Sequence, residues 1–397
     1  MKILVVCQHY WPEPYYLDDV CEELVRRGHT VHVVVDVPNY PMGKIYEEYR
    51  HRKNREQVRG GVQITRTFTI GRKRGVLFRF LNYESYSLSS TRYIHTLPGD
   101  YDVVFTNQTS PVMMTRAATV YSRKWKKKCI LYCMDLWPAS LAAGGIRENH
   151  PVYRIFDHIS KKLYNRADRI LITSQSFRGY LTQKHGIPDE KIAWLPQYAA
   201  TQYETTPALA EKKTVDILFV GNVGAAQSLG TLLQAASILK NRTPGTKKLQ
   251  FHIVGEGSQL QTLIRQSREL ELDNVFFHGR KTAEEMPFFY SLADALVVLL
   301  KAEAFLSMTL PGKVQTYMAA GKPILAAANG EIPRLISEAE CGLCTSAEDA
   351  EGFAAIIRRF LSDPEREQMG INARRYYEEH FTRQRFMDAL ERELMTV

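Results

Sequence analysis

Two glycine-bearing turns in the second half of the chain have the make-up of a phosphate cradle. In "ILFVGNVGAAQSLG" an apolar run enters a turn holding Gly221 and Gly224 and then a helix start, and "VGEGSQL" repeats the device with Gly255 and Gly257. Glycine lets backbone N–H groups approach an anion at the positive end of a helix. One such turn fits tight packing as well as binding, but two strand ends of this kind in one domain predict a single nucleotide crevice. In the first half, "YCMDLWPASL" puts Asp135 at a strand end. A carboxylate there orients or deprotonates a hydroxyl, or it caps a helix. Glu13 and Asn107, at the ends of the first and a later strand, are further crevice candidates, whereas the lone His9 reads as a core or loop imidazole.

These residues need parallel α/β units to position them. "KILVVC" is a strand, Leu17, Val20, Cys21, Leu24 and Val25 recur at helical spacing, and "RRGHTVHVVVD" gives a second strand after Gly28. The turn between, "CQHYWPEPYYLDDV", contains no glycine where a nucleotide-binding domain keeps its glycines. Similar units follow at "YDVVFTNQ", "KCILYCMD" and "ADRILITSQS", with a basic and aromatic insertion at about 50–98. "AWLPQYAATQYETTPALAEKKT" breaks the pattern, which then restarts at "VDILFVG". The reading is a first Rossmann-like domain over 1–197, a linker over 198–214, a second Rossmann-like domain over 215–380, and a terminal helix over 381–397. That helix has one apolar face (Phe386, Met387, Leu390, Leu394), which fits either domain, a return to the first included.

A chain of 397 residues, 45% hydrophobic and 24% charged, has room for two packed domains and is too apolar for disorder. The apolar run at the N-terminus is too short for a signal-peptide core, which predicts a cytosolic protein. Six cysteines lack zinc-ribbon spacing, so reduced thiols are expected. Residues 1–200 hold 30 lysines and arginines against 18 acidic residues, and the remainder 22 against 25. Such asymmetry predicts a polyanionic partner for the first domain alone. In "RKRGVLFRFLNYESYSL", Arg72, Lys73 and Arg74 stand beside Val76, Leu77, Phe80 and Leu81 at helical spacing. This suits an interfacial membrane contact, or an amphipathic helix packed on its own sheet.

The segment "TLPGKVQTYMAAGKPILAAANGE", residues 309–331, resembles the donor site of GT-B glycosyltransferases, in particular the retaining family 4 type. Tyr317 to Pro323 match its "EAMACGxPVV" turn, and "RRGHTVHVVV", "GNVGAAQSL", "VGEG", "NVFFHGR", "LADALVVLL" and "ECGL" follow in the family's order. The family's two glutamates, separated by seven residues, should stand at 308 and 316, where this chain has Met308 and Thr316. A subgroup with "TLPSKxQTYMAAGKP", acting in O-antigen, capsule or exopolysaccharide assembly, is similar, so the change reads as a variant donor site.

The resemblance implies two Rossmann-like domains facing each other across a cleft, with donor contacts at Gly221, Asn222, Gly224, Gln227, Gly255, Glu256, Thr309, Leu310, Lys313 and Thr316. Lys313 and Arg280 would stabilise the departing diphosphate, and Thr316 would donate to a ribose or phosphate oxygen. Asp135 would act on the acceptor hydroxyl, with Glu13, Tyr15, Asn107 and Trp137 around the acceptor. Retention is implied, the leaving phosphate itself taking the proton. No cofactor and no metal is expected. The expected partners are a UDP-linked sugar, a lipid-linked saccharide or polyprenyl-diphosphate acceptor, and an anionic membrane surface on the cytosolic side, with no nucleic acid. Rival readings are a nucleotide-sugar 2-epimerase of the same fold and a non-catalytic nucleotide-sugar-binding subunit.

Overall fold

A computed structural model describes residues 1–73, 75–205, 212–240 and 247–396, with only the backbone of Val76, Ala143 and Gly144. It divides into two units, residues 1–195 with 387–397, and residues 196–386. Arg74 lies outside the described residues.

The first unit is an eight-stranded sheet. Its strands are β1 (Lys2–Cys7), β2 (Thr30–Val35), β3 (Glu56–Arg59), β4 (Val62–Arg66), β5 (Val103–Gln108), β6 (Lys128–Cys133), β7 (Arg169–Ile172) and β8 (Ile192–Trp194). Their order is β3-β4-β2-β1-β5-β6-β7-β8, and only β3 runs antiparallel to its neighbour. Ile3 to Cys7 are wholly buried, as a central strand covered on both faces must be. Chain order reverses at β1/β5, which makes the carboxyl ends of these strands the natural crevice. The region read as an insertion at 50–98 holds the β3–β4 hairpin, closed by Gly60 and Gly61, both at positive φ as a tight two-residue turn requires.

The second unit has six parallel strands: β9 (Thr214–Val220), β10 (Lys248–Val254), β11 (Val275–Gly279), β12 (Ala295–Leu299), β13 (Ile324–Ala327) and β14 (Gly342–Thr345). The order is β11-β10-β9-β12-β13-β14, with its reversal at β9/β12. Ile217, Phe219, Phe251 and Ile253 pack one face against Leu232, Leu233, Phe353 and Ile357 of the helices Gly230–Leu239 and Ala350–Ser362.

The expected linker needs correction. The units part between Leu195 and Pro196, and residues 196–205 are compact with the second unit. Glu204 shows why: its carboxylate accepts from the Tyr377 hydroxyl at 2.8 Å and its carbonyl from Arg374 at 2.7 Å. Residues 206–211 of that segment lie outside the described residues.

The last helix, Arg383–Thr396, belongs to the first unit from Met387 onward. It buries Met387, Leu390 and Leu394, and Arg27 Nη1 binds Asp388 at 2.7 Å and Glu391 at 2.8 Å. The His29 ring lies 2.8 Å from Glu391, and Arg169 forks onto Glu393 at 2.6 and 2.9 Å. Hydrogen bonds from Arg27 and then His29 hold the Glu391 carboxyl below its usual range. A depressed carboxyl contributes stability above its unfolded pKa and loses it as pH falls through the folded value. Glu391→Gln should therefore lower Tm at pH 7, and melting curves taken at falling pH should show the gap from the wild type closing below about pH 4.

Candidate functional site

In the second unit the two glycine turns are zipped together. The Gly221 N–H donates to the Val254 carbonyl at 3.0 Å, that of Val223 to Glu256 at 2.8 Å, and that of Gln259 to Val223 at 3.0 Å. Gly221 and Gly255 have φ of 136° and 143°, and a Cβ on Gly255 would stand 1.8 Å from the Gly221 carbonyl oxygen. Only glycine fits there. Asn222 and Glu256 are exposed on this rim, and the Asn222 amide lies close over Gly224. Gly255 N–H also donates to Gly279 at 2.8 Å, so Arg280 leaves β11 beside the same turn, exposed.

Lys313, on the helix Gly312–Ala319, completes this arrangement. Its Nζ donates to Gln227 Oε1 at 2.5 Å and stands 4.1 Å from the Phe219 ring centre, and a Cβ on Gly221 would lie 3.2 Å from it. No carboxylate of the described residues pairs with it. Desolvation lowers its pKa to about 7. The Gly221 turn, its own N–H already bonded to Val254, and a half-buried cation without a counter-charge lie together, and the cation suits a diphosphate.

Other donor residues are placed differently from expectation. The Thr316 hydroxyl donates to the Gly312 carbonyl at 3.2 Å and that of Thr309 to Phe305 at 3.0 Å, so both protons are spent on the local backbone and only their oxygens can accept. The Leu310 side chain is core, 2% exposed. Sequence reasoning missed Gln315, wholly buried with neither amide atom hydrogen-bonded. A buried glutamine two residues from Lys313 in a helix of apolar neighbours was the available signal. A groove of about 490 Å³ against the edge strand β11, lined by Phe276, His278 and Arg268 among others, does not include the glycine turns or Lys313.

In the first unit Asp135 follows β6. It accepts from the Ser110 hydroxyl, which is itself 3.0 Å from that of Ser140. Burial raises its pKa, and the two hydroxyls and the Leu136 N–H offset part of the rise. It caps no helix, since the next helical turn, Ala139–Gly144, has Pro138 at its cap. Asn107 is buried at the end of β5.

Glu13 is not the free crevice carboxylate expected. Its Oε1 accepts from the N–H groups of Asn39 and Tyr40 at 2.6 and 2.7 Å, and its Oε2 lies 2.7 Å from His9 Nδ1. Tyr15 stacks on His9 at 4.8 Å, half-buried. Trp137 is a core ring, 7% exposed and edge-on to Phe156, because the turn after Asp135 folds inward. His9, Glu13 and Asp36 bring their ligand-type atoms within 4.8 Å of one another, the one such grouping among the described residues.

The helix Val76–Ile94 has one buried face and a projecting first turn. Asn82, Tyr86, Ser87 and Ser90 are buried, while its first turn projects with Leu77 66% and Phe80 45% exposed, beside exposed Arg79. Leu81 is half-buried, and Arg72 stacks over Tyr40 and Tyr83. No helix of the described residues is long and apolar enough to cross a membrane.

Residues 15–198 match the family described as Glycosyltransferase Family 4, and residues 204–376 match Glycosyl transferases group 1. The probable glycosyltransferase WbjE of Pseudomonas aeruginosa is 25% identical over 269 residues, 64% of this chain and 65% of that protein. The putative colanic acid biosynthesis glycosyl transferase WcaI of Escherichia coli K12 is 24% identical over 400 residues, 92% of this chain and 93% of its own. Among solved structures, Anabaena Alr3699/HepE in complex with UDP has a TM-score of 0.73 at 14% identity, with 100% of both chains covered. WaaG, a glycosyltransferase involved in lipopolysaccharide biosynthesis, has a TM-score of 0.68 at 13% identity, again with 100% of both covered. These two likenesses establish the fold. One family match falls on each parallel-sheet unit, and the chain is a family-4-like glycosyltransferase of the two-domain GT-B type.

Proposed function

We propose that this glycosyltransferase takes a UDP-linked sugar in its second unit and transfers it, with retention, to a lipid-linked saccharide or polyprenyl-diphosphate acceptor in surface-polysaccharide assembly. Lys313 is the observation that carries the donor side: a desolvated cation with no carboxylate partner, over a glycine turn, gains most from a diphosphate. UDP as the nucleotide is supported by its presence in the HepE structures, and the polysaccharide context by the names of WcaI and WaaG.

In this reading the bond between the sugar C1 and the diphosphate oxygen breaks with its electron pair on the phosphate. Lys313 and Arg280 neutralise that charge, and no step is assigned to a metal. Asp135, in its serine-lined niche, holds the acceptor hydroxyl. The acceptor's lipid places the enzyme at an anionic membrane on its cytosolic face. The 16 lysines and arginines against 4 acidic residues between 51 and 130, with the projecting Leu77 and Phe80, support that placement.

Lys313→Ala should reduce kcat about 100-fold or more with little change in Tm, because the charge it supplies is needed as the diphosphate departs. Steady-state kinetics beside a melting curve checks this, and an unchanged kcat removes Lys313 from the reaction. The ammonium must be present for binding and is lost in the free protein above about pH 7, so UDP affinity should fall as pH rises through that value. Calorimetry at pH 8 in buffers of different ionisation heat should show proton uptake in the wild type and none in Lys313→Ala. Asp135→Asn should leave UDP affinity intact while lowering transfer; lost affinity or mere loss of Tm would contradict its role. Sedimentation with anionic liposomes should weaken with salt. Lys73→Ser with Arg79→Ser should lower partitioning roughly 30-fold, at about 1 kcal/mol per cation, and Phe80→Ser should lower it independently. Partitioning that ignores salt and these substitutions would refute the membrane placement.

A further inference from the structure

The outer strand of the second sheet has a neighbour on one side only. β11 pairs with β10, whose Phe251 N–H donates to the Asn274 carbonyl at 2.8 Å. In a strand the N–H and C=O of one residue point the same way, and successive residues alternate. Asn274 and Phe276 therefore face β10, while Val275 and Phe277 turn their backbone groups outward, where no strand of the described residues lies. The ladder becomes irregular between Phe277 and Gly279, so the open stretch is short and its register is fixed.

Open edges are ordinarily guarded by charge or proline. The outer strand of the first sheet, β3, carries Glu56 and Arg59, whereas β11, "VFFHG", carries neither a charge nor a proline. The surface on both sheet faces beside it is apolar. Phe276 is 37% exposed and stacked on His252, and Phe288 is 52% exposed on the helix Met286–Leu292, which packs on this strand through Phe289 and His278. Leu270, just past the helix Leu260–Glu269, is exposed on the other face. The groove of about 490 Å³ lies against this edge, between β11 and Ser267 and Arg268 of that helix. An exposed apolar patch of this kind marks a surface that a partner covers. Charge selects the partner. Glu271 and Asp273 precede the strand, and Arg280 and Lys281 follow it, so the edge is acidic at its start and basic at its end. Its complement is the same edge run antiparallel.

We propose that β11 is a self-association edge, on which two copies of this chain pair antiparallel about a two-fold axis and join two six-stranded sheets into one. Such pairing is independent of the transferase reading. Val275 exchanges both of its backbone bonds with the partner's Phe277, and Phe277 with the partner's Val275, which puts the axis at Phe276. The two Phe276 rings then meet across a non-hydrogen-bonded pair, the closer of the two antiparallel spacings. Asp273 comes beside the partner's Arg280, and Phe288 and Leu270 widen the contact on the two faces. One patch serves both copies, as a closed two-fold interface requires.

The test is sedimentation of the full chain over a concentration series reaching about 100 μM. The wild type should reach the mass of two chains and stop there. Phe276→Lys puts a charge on the axis and should weaken the dimer about 100-fold or more. Asp273 is exposed and stands before the strand, so Asp273→Lys tests the pairing even where Phe276→Lys loses Tm, and it should weaken the dimer roughly tenfold. Phe276→Cys reads the symmetry itself: mild oxidation should link two such chains through position 276, whose Cβ atoms would stand about 4.5–5.5 Å apart. The wild type, whose six cysteines are buried or half-buried, is the control and should not link. A wild type that stays monomeric or grows beyond two chains, a dimer that Asp273→Lys or a folded Phe276→Lys leaves unchanged, or an oxidised Phe276→Cys variant without a link at position 276 overturns the proposal.

Discussion

A cation held without a counter-charge is the constraint on which the second unit turns. Lys313 can sit beside Phe219 and Gln227 only because the turns after β9 and β10 are locked to each other and leave a glycine, Gly221, beneath it. A side chain at Gly255 would collide with the Gly221 carbonyl, and the lock would open. The cost of desolvating the ammonium shows in a pKa lowered to about 7. That stored cost is regained only when an anion arrives, so the geometry that weakens the empty protein favours the loaded one. Family members place glutamates at the positions of Met308 and Thr316. Here Thr316 turns its hydroxyl back on the Gly312 carbonyl of its own helix.

The first unit answers a different demand. Its turn after β1 has no glycines. That turn is filled with His9, Glu13, Tyr15 and Trp11, tied to the neighbouring strands: Glu13 to the segment after β2, and Trp11 through its carbonyl to Arg66 of β4 at 2.6 Å. Rings and a buried, hydrogen-bonded carboxylate make this turn rigid. Arg72 is stacked over Tyr40 and Tyr83, while Lys73 and Arg79 are exposed.

The parallel α/β character of both units was legible, since buried strands such as Ile217–Val220 and Val103–Thr106 read as continuous apolar runs between helical spacings. The glycine turns and Lys313 were legible because their chemistry is local. What depends on distant partners was not. Glu13 looks like a free carboxylate until Asn39 and Tyr40, 26 and 27 residues on, are folded against it. Trp137 looks like a stacking platform until Phe156 covers its edge. The supposed linker looks free until Glu204 finds Tyr377 and Arg374. The β3–β4 hairpin was missed although Gly60-Gly61 announced it, because its short, charged strands carry little apolar signal.

Whether Lys313 is an underprotonated cation that gains its proton when a diphosphate binds can be read directly. Titrating the Lys313 Nζ by NMR of lysine-labelled protein, with and without UDP, should give a midpoint near 7 in the free protein that moves up by about two units or more when UDP binds. A free-protein midpoint in the ordinary lysine range, or one that UDP leaves in place, would contradict it.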